Sequence, residues 1–81
     1  MVSKKILVPT DFTEVAETAI KHAAIVSSKM NAELWILHIE KANEEREIVA
    51  EHFANEIKLA KAVAPELDIK TVSIIGSIFS D

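Results

Sequence analysis

The sequence predicts an α/β protein: an open parallel sheet built in the order β-α-β-α-β. Three observations carry the prediction. Short apolar or β-branched runs recur at residues 6–8, 34–39 and 69–75, two stretches between them repeat apolar residues every three or four positions, and the connections are a few residues long. Strands alternating with helix-length amphipathic stretches read as successive βαβ units, because a parallel partner can be reached only through a crossover.

The first run, Ile6-Leu7-Val8, is bounded by Lys4-Lys5 and by Pro9-Thr10-Asp11. An unbroken apolar run of this kind predicts a strand covered on both faces. Apolar residues at Ala16, Ala19, Ile20, Ala23, Val26 and Met30 then draw one stripe down a helix over residues 13–30. Thr13 or Asp11 can cap its first N–H groups, Glu14 and Glu17 suit the positive end of its dipole, and Asn31 tolerates the left-handed conformation that ends a helix.

The second run, Leu34-Trp35-Ile36-Leu37-His38-Ile39, again implies cover on both faces. A second helix is expected from about Asn43, with the stripe Val49, Phe53, Ile57, Ala60, Ala64 and Leu67, and Pro65 marks its end. The run from Ile69 to Ile75 is β-branched and mixed in polarity, as an edge strand would be, and Gly76 closes it. Parallel crossovers are right-handed. Two that step the same way put both helices on one face and leave the other bare, whereas two that step in opposite directions flank the sheet.

The chain has 81 residues, no cysteine and a net charge of −4. That length suits one domain whose core supplies about 3–5 kcal/mol without a staple or partner. Acidity argues against nucleic acid, whose binding depends on Lys and Arg neutralising phosphates. The absence of cysteine and the short apolar stretch at the N-terminus lead us to expect a cytoplasmic protein with no membrane span.

Residues 4–19, Lys-Lys-Ile-Leu-Val-Pro-Thr-Asp-Phe-Thr-Glu-Val-Ala-Glu-Thr-Ala, resemble the opening of a universal stress protein. That family begins with a basic pair, a strand ending in Val-Pro-x-Asp, then Ser or Thr-Glu and an alanine-rich helix. Residues 32–39, Ala-Glu-Leu-Trp-Ile-Leu-His-Ile, are similar to its Ala-x-Leu-x-Leu-Leu-His-Val, and the third strand ending at Gly76 corresponds to the one before Gly-x-Pro. The resemblance implies that residues 1–81 are a single truncated domain, the N-terminal half of a Rossmann-like, adenine-nucleotide alpha-hydrolase-like fold. It favours the topology with one bare face.

The resemblance further implies a non-enzymatic stress-response protein. Pro9, Thr10 and Asp11 after the first strand, and Ile39 after the second, would line an adenosine pocket, with ATP as the ligand. Asp11 would accept hydrogen bonds from ribose hydroxyls or the adenine amine, or it would cap the first helix. ATP-binding members hold phosphates with a glycine motif after their fourth strand. This chain carries one glycine, Gly76, and Ile78 where the family has proline. At most a partial nucleotide site is expected, with ATP bound weakly or not at all. The alternative, from another class, is an oligomerisation module without ligand, in which a homodimer or higher homo-oligomer covers the bare sheet face.

Other constellations point elsewhere. His22, His38 and His52 have no ligand spacing and predict no metal site. Ser27-Ser28 lacks a nucleophile-elbow context and reads as the polar side of the first helix. Glu44, Glu45, Glu47, Glu51 and Glu56 read as a solvated helix face. Trp35 is either core or, on a bare face, an interface anchor. An α/β transferase reading is disfavoured by the lack of a His-x-Gly-His motif.

Overall fold

The computed structural model describes residues 4–40 and 44–75. Within them the chain forms β1 (Lys5–Pro9), α1 (Glu14–Met30), β2 (Glu33–Glu40), α2 (Arg46–Val63) and β3 (Ile69–Ile75). The strands make one parallel sheet in the order β1-β2-β3. Both crossovers therefore step the same way, and α1 and α2 lie together, in contact with each other.

Register assigns the faces. Leu7 pairs with Trp35, which pairs in turn with Lys70, and Val8 pairs with Ile36, which pairs with Thr71. Because side chains alternate along a strand, Ile6, Val8, Leu34, Ile36 and His38 look toward the helices. There Val8, Leu34 and Ile36 join Ile20, Ala24, Val49, Phe53, Ala60, Ala64 and Leu67 in one core. Each fully buried Ile or Leu contributes about 1.5–3 kcal/mol. The opposite face carries Leu7, Pro9, Trp35, Leu37, Ile39, Val72 and Ile74, and is open: Leu7 is 62% and Ile39 54% exposed. Among the described residues, the expected cover on both faces of β1 and β2 is thus found on one. Trp35 belongs to the open face, half-buried, with the Lys5 ammonium 4.9 Å from its ring centroid and its indole N–H donating to Glu33.

Pro9 fits its place. Lys4 accepts from the Glu33 N–H and the Thr10 N–H donates to Leu37, so the even-numbered residues of β1 bond to β2. Pro9, out of phase with them, turns its missing N–H to the free edge, where it breaks no ladder bond.

Thr13 is the N-cap of α1, accepting from the Ala16 N–H, and Asn31 ends the helix at φ 59°, ψ 42° with its own N–H turned back to the Ser27 and Ser28 carbonyls. The buried stripe of α1 is Ala16, Ile20, Ala24 and Ser27, while Val26 and Met30 are each 46% exposed. Alanines on both sides of Ile20 made the apolar arc wide, and close packing on the sheet selected its smaller members, a serine included. Ser27 is fully buried, not part of a polar side, and its hydroxyl has no partner among the described residues.

Helix α2 begins later than expected, at Arg46 after the N-cap Glu45, which makes no side-chain cap bond. Asn43 lies outside the described residues, as do Gly76 and Ile78. The helix ends at Val63, with Ala64 as C-cap before Pro65. Among the described residues no helix is long and apolar enough to cross a membrane.

Candidate functional site: a cleft at the carboxyl ends of the strands

In open α/β sheets ligands settle beyond the carboxyl ends of the strands. Here those ends, the 10–13 connection and the first turns of α1 shape a cleft of about 680 Å³. Pro9, Thr10, Asp11 and Ile39, the four residues singled out from the sequence, all line it. Its walls are apolar, from Leu37 and Ile74 on the sheet and Val15 and Ala19 on α1, and its lining carboxylates are Asp11 and Glu44. No Lys or Arg lines it among the described residues.

The loop over the cleft is organised by Thr10. Its N–H donates to the Leu37 carbonyl at 2.8 Å. Its hydroxyl donates to Glu56 Oε2 at 2.5 Å and accepts from the Phe12 N–H at 3.0 Å. Its carbonyl accepts from His38 Nδ1 at 3.1 Å. Since a carbonyl can only accept, Nδ1 carries a hydrogen. The other ring nitrogen, Nε2, lies 2.9 Å from Glu44 Oε2.

Phe12 follows at φ 63°, a left-handed conformation unusual for a bulky residue. Its ring is held between two imidazoles, 4.1 Å from His38 and 4.6 Å from His52 by centroid, with Phe53 edge-on at 5.4 Å. The turn thus imposed places Asp11 so that Oδ1 accepts from both the N–H and the hydroxyl of Thr13, at 3.1 and 2.5 Å. Those bonds hold the Asp11 carboxyl below its usual range. Asp11 is exposed and braces the N-cap residue; the cap itself is Thr13.

Two members of the expected solvated acidic face are elsewhere. Glu56 is buried, 1% exposed, because at three residues after Phe53 and four before Ala60 it shares the core stripe of α2. Burial pushes its carboxyl up, against the Thr10 hydroxyl bond that pulls it down, and the charge of Glu17 adds to the rise. Its Oε1 has no partner among the described residues. Glu44 is partly buried against His38. Glu45, Glu47 and Glu51 are exposed as expected.

Sequence reasoning missed Glu56, Phe12 and the pairing of His38 with Glu44. The spacing of Glu56 within the stripe was a readable signal; nothing around Phe12 announces its backbone conformation. Among the described residues no group of three His, Cys, Asp or Glu side chains could hold a metal ion.

The model of the universal stress protein family matches residues 3–77. Among solved structures, a universal stress protein in complex with cAMP superposes with a TM-score of 0.79 at 20% identity, over 94% of this chain and 57% of that one. The universal stress protein UspA from Lactobacillus plantarum superposes with a TM-score of 0.52 at 20% identity, over 98% of this chain and 66% of that one. The chain therefore spans less than two thirds of the length of either. No curated protein matches it. With a three-stranded parallel sheet and two helices on one face among the described residues, and a family match over nearly the whole sequence, the chain belongs to the universal stress protein family.

Proposed function

We propose that this is a non-enzymatic stress-response protein whose cleft takes the nucleoside end of an adenine nucleotide. The observation that carries the reading is the convergence of Pro9, Thr10, Asp11 and Ile39 on one cleft at the carboxyl ends of adjacent strands. Apolar walls suit the faces of a purine. Asp11, held ionised by Thr13, is an acceptor for ribose hydroxyls or the adenine amine. The structural neighbour in complex with cAMP supports a nucleotide ligand.

Phosphate is a poorer match. No Lys or Arg lines the cleft among the described residues, Asp11 lines it as a carboxylate, and one glycine in the sequence offers little for a backbone cradle. Titration calorimetry with adenosine, cAMP and ATP tests this. Adenosine should bind at least as tightly as either nucleotide, and Asp11→Ala should weaken it about tenfold, the worth of one bond to a charged group. ATP binding far tighter than adenosine would overturn the reading. A cytoplasmic location is supported by the cysteine-free sequence.

The open sheet face favours a second reading, a homodimer or higher homo-oligomer in which another copy covers Leu7, Trp35 and Ile39. Sedimentation velocity of the wild type against Leu7→Glu decides it. A dimer that the substitution dissociates supports this reading, and a wild-type monomer at high concentration refutes it.

A further inference from the structure

We infer that Glu56 is a positioning residue for the cleft, acting on the 10–13 loop through the Thr10 hydroxyl; the inference rests on the nucleoside reading above and extends it to a residue outside the cleft. Glu56 lies in the second half of α2. It is 1% exposed on the core face of α2, among Val49, Phe53 and Ala60. A carboxyl there is a poor choice for stability, since an apolar side chain of similar volume would avoid its desolvation. Its Oε1 has no partner among the described residues, so the group is not embedded in a network that satisfies it. What it does provide is one hydrogen bond, from Oε2 to the Thr10 hydroxyl, joining residues 46 apart in sequence.

That bond has consequences because Thr10 is fully used. With its hydroxyl hydrogen committed to Glu56, the lone pairs of Oγ1 are turned to the Phe12 N–H, 3.0 Å away. The same residue's carbonyl receives His38 Nδ1. Both contacts hold Phe12 in its left-handed conformation, between the rings of His38 and His52. Phe12 sits between Asp11 and Thr13, so its backbone sets how Asp11 faces the cleft. If the hydroxyl lost its acceptor, it could rotate, and the loop would lose the constraint that starts at α2.

The test uses the full chain and two variants. Glu56→Leu removes the acceptor and the orphaned oxygen together; Glu56→Gln keeps an amide oxygen for Thr10. Three quantities are read: adenosine affinity by titration calorimetry, the Phe12 amide and the His38 and His52 ring resonances by NMR, and the urea midpoint. Glu56→Leu should fold with a midpoint at or above that of the wild type, yet shift the Phe12 amide and bind adenosine about tenfold more weakly. Glu56→Gln should keep both the resonances and the affinity. A purely structural role would instead lower the midpoint and leave the affinity of the folded protein unchanged.

Unchanged affinity and Phe12 amide in Glu56→Leu would overturn the inference, as would equal impairment in Glu56→Gln. If the wild type binds no adenosine, the nucleoside reading falls, and the Phe12 amide still decides whether Glu56 sets the loop. Should Glu56→Leu not fold, Thr10→Ser against Thr10→Val takes its place: the hydroxyl retained should preserve the Phe12 amide, and its loss should move it. Equal spectra for the two would refute the inference.

Discussion

Replacing Phe12 separates two opposed contributions of the cleft loop. The ring touches His38, His52 and Phe53 and packs partly buried against the core. Aromatic pairs are worth about 0.5–1.5 kcal/mol each beyond area burial, less than additively here because the three share one ring. With incomplete burial, Phe12→Ala should cost about 2–3 kcal/mol. The backbone at φ 63° carries the opposite sign. A left-handed non-glycine residue is disfavoured by about 1–2 kcal/mol, and glycine relieves this while losing about 0.5–1 kcal/mol to the freedom of the unfolded chain. Phe12→Gly should therefore be more stable than Phe12→Ala by about 0.5–1 kcal/mol, the reverse of the usual order. For a domain of this size the gap is roughly 2–8 °C in Tm, readable by thermal melts and urea unfolding followed by circular dichroism. Phe12→Ala equal to or more stable than Phe12→Gly would refute the claim that the surrounding contacts hold this residue against its preference.

Further predictions concern pH, the core and the helix end. Burial raises the Glu56 carboxyl above its ordinary value of 4.5, so the folded protein keeps a proton that the unfolded chain has released. Its contribution to stability is complete below 4.5 and is lost as pH rises through the folded value; the advantage of Glu56→Gln over wild type in urea should accordingly grow with pH and then level off. A difference independent of pH would contradict this. At Ile36, fully buried on the central strand, substitution by Val should cost about 0.5–1.5 kcal/mol and by Ala about 2–5, the latter enough to unfold a domain of this length, as a urea melt would show. Asn31→Gly should leave stability unchanged or raise it slightly, whereas Asn31→Ala should lower the melting temperature, because φ is 59° there.

The elements that sequence reasoning placed well are those with local physical punctuation. Ile69–Ile75 stood out as β-branched between turn residues, Pro65 bounded α2, and Asn31 ended α1 in the left-handed conformation expected of it. That Pro9, Thr10, Asp11 and Ile39 would come together was legible, because motif and topology both put them at the carboxyl ends of β1 and β2, where they line one cleft. What was not legible depends on packing between elements. The face that α1 buries could not be read from an alanine-rich helix with apolar residues on most of its circumference. Glu56 looked like one more acid on a charged helix until α2 met Thr10, and Glu44 until it met His38. Continuous apolar strands announce a need for cover on two faces; they do not say what supplies it, and the helices of this chain supply one.

A chemical-shift titration with adenosine tests most directly the proposal that the cleft at the carboxyl ends of β1 and β2 holds the nucleoside part of an adenine nucleotide. Amide resonances of Thr10, Asp11, Phe12 and Ile39 should move together and saturate, with those of the far ends of the strands, such as Lys5 and Glu33, unmoved. Saturable shifts confined to another surface, or none at millimolar adenosine, would contradict it.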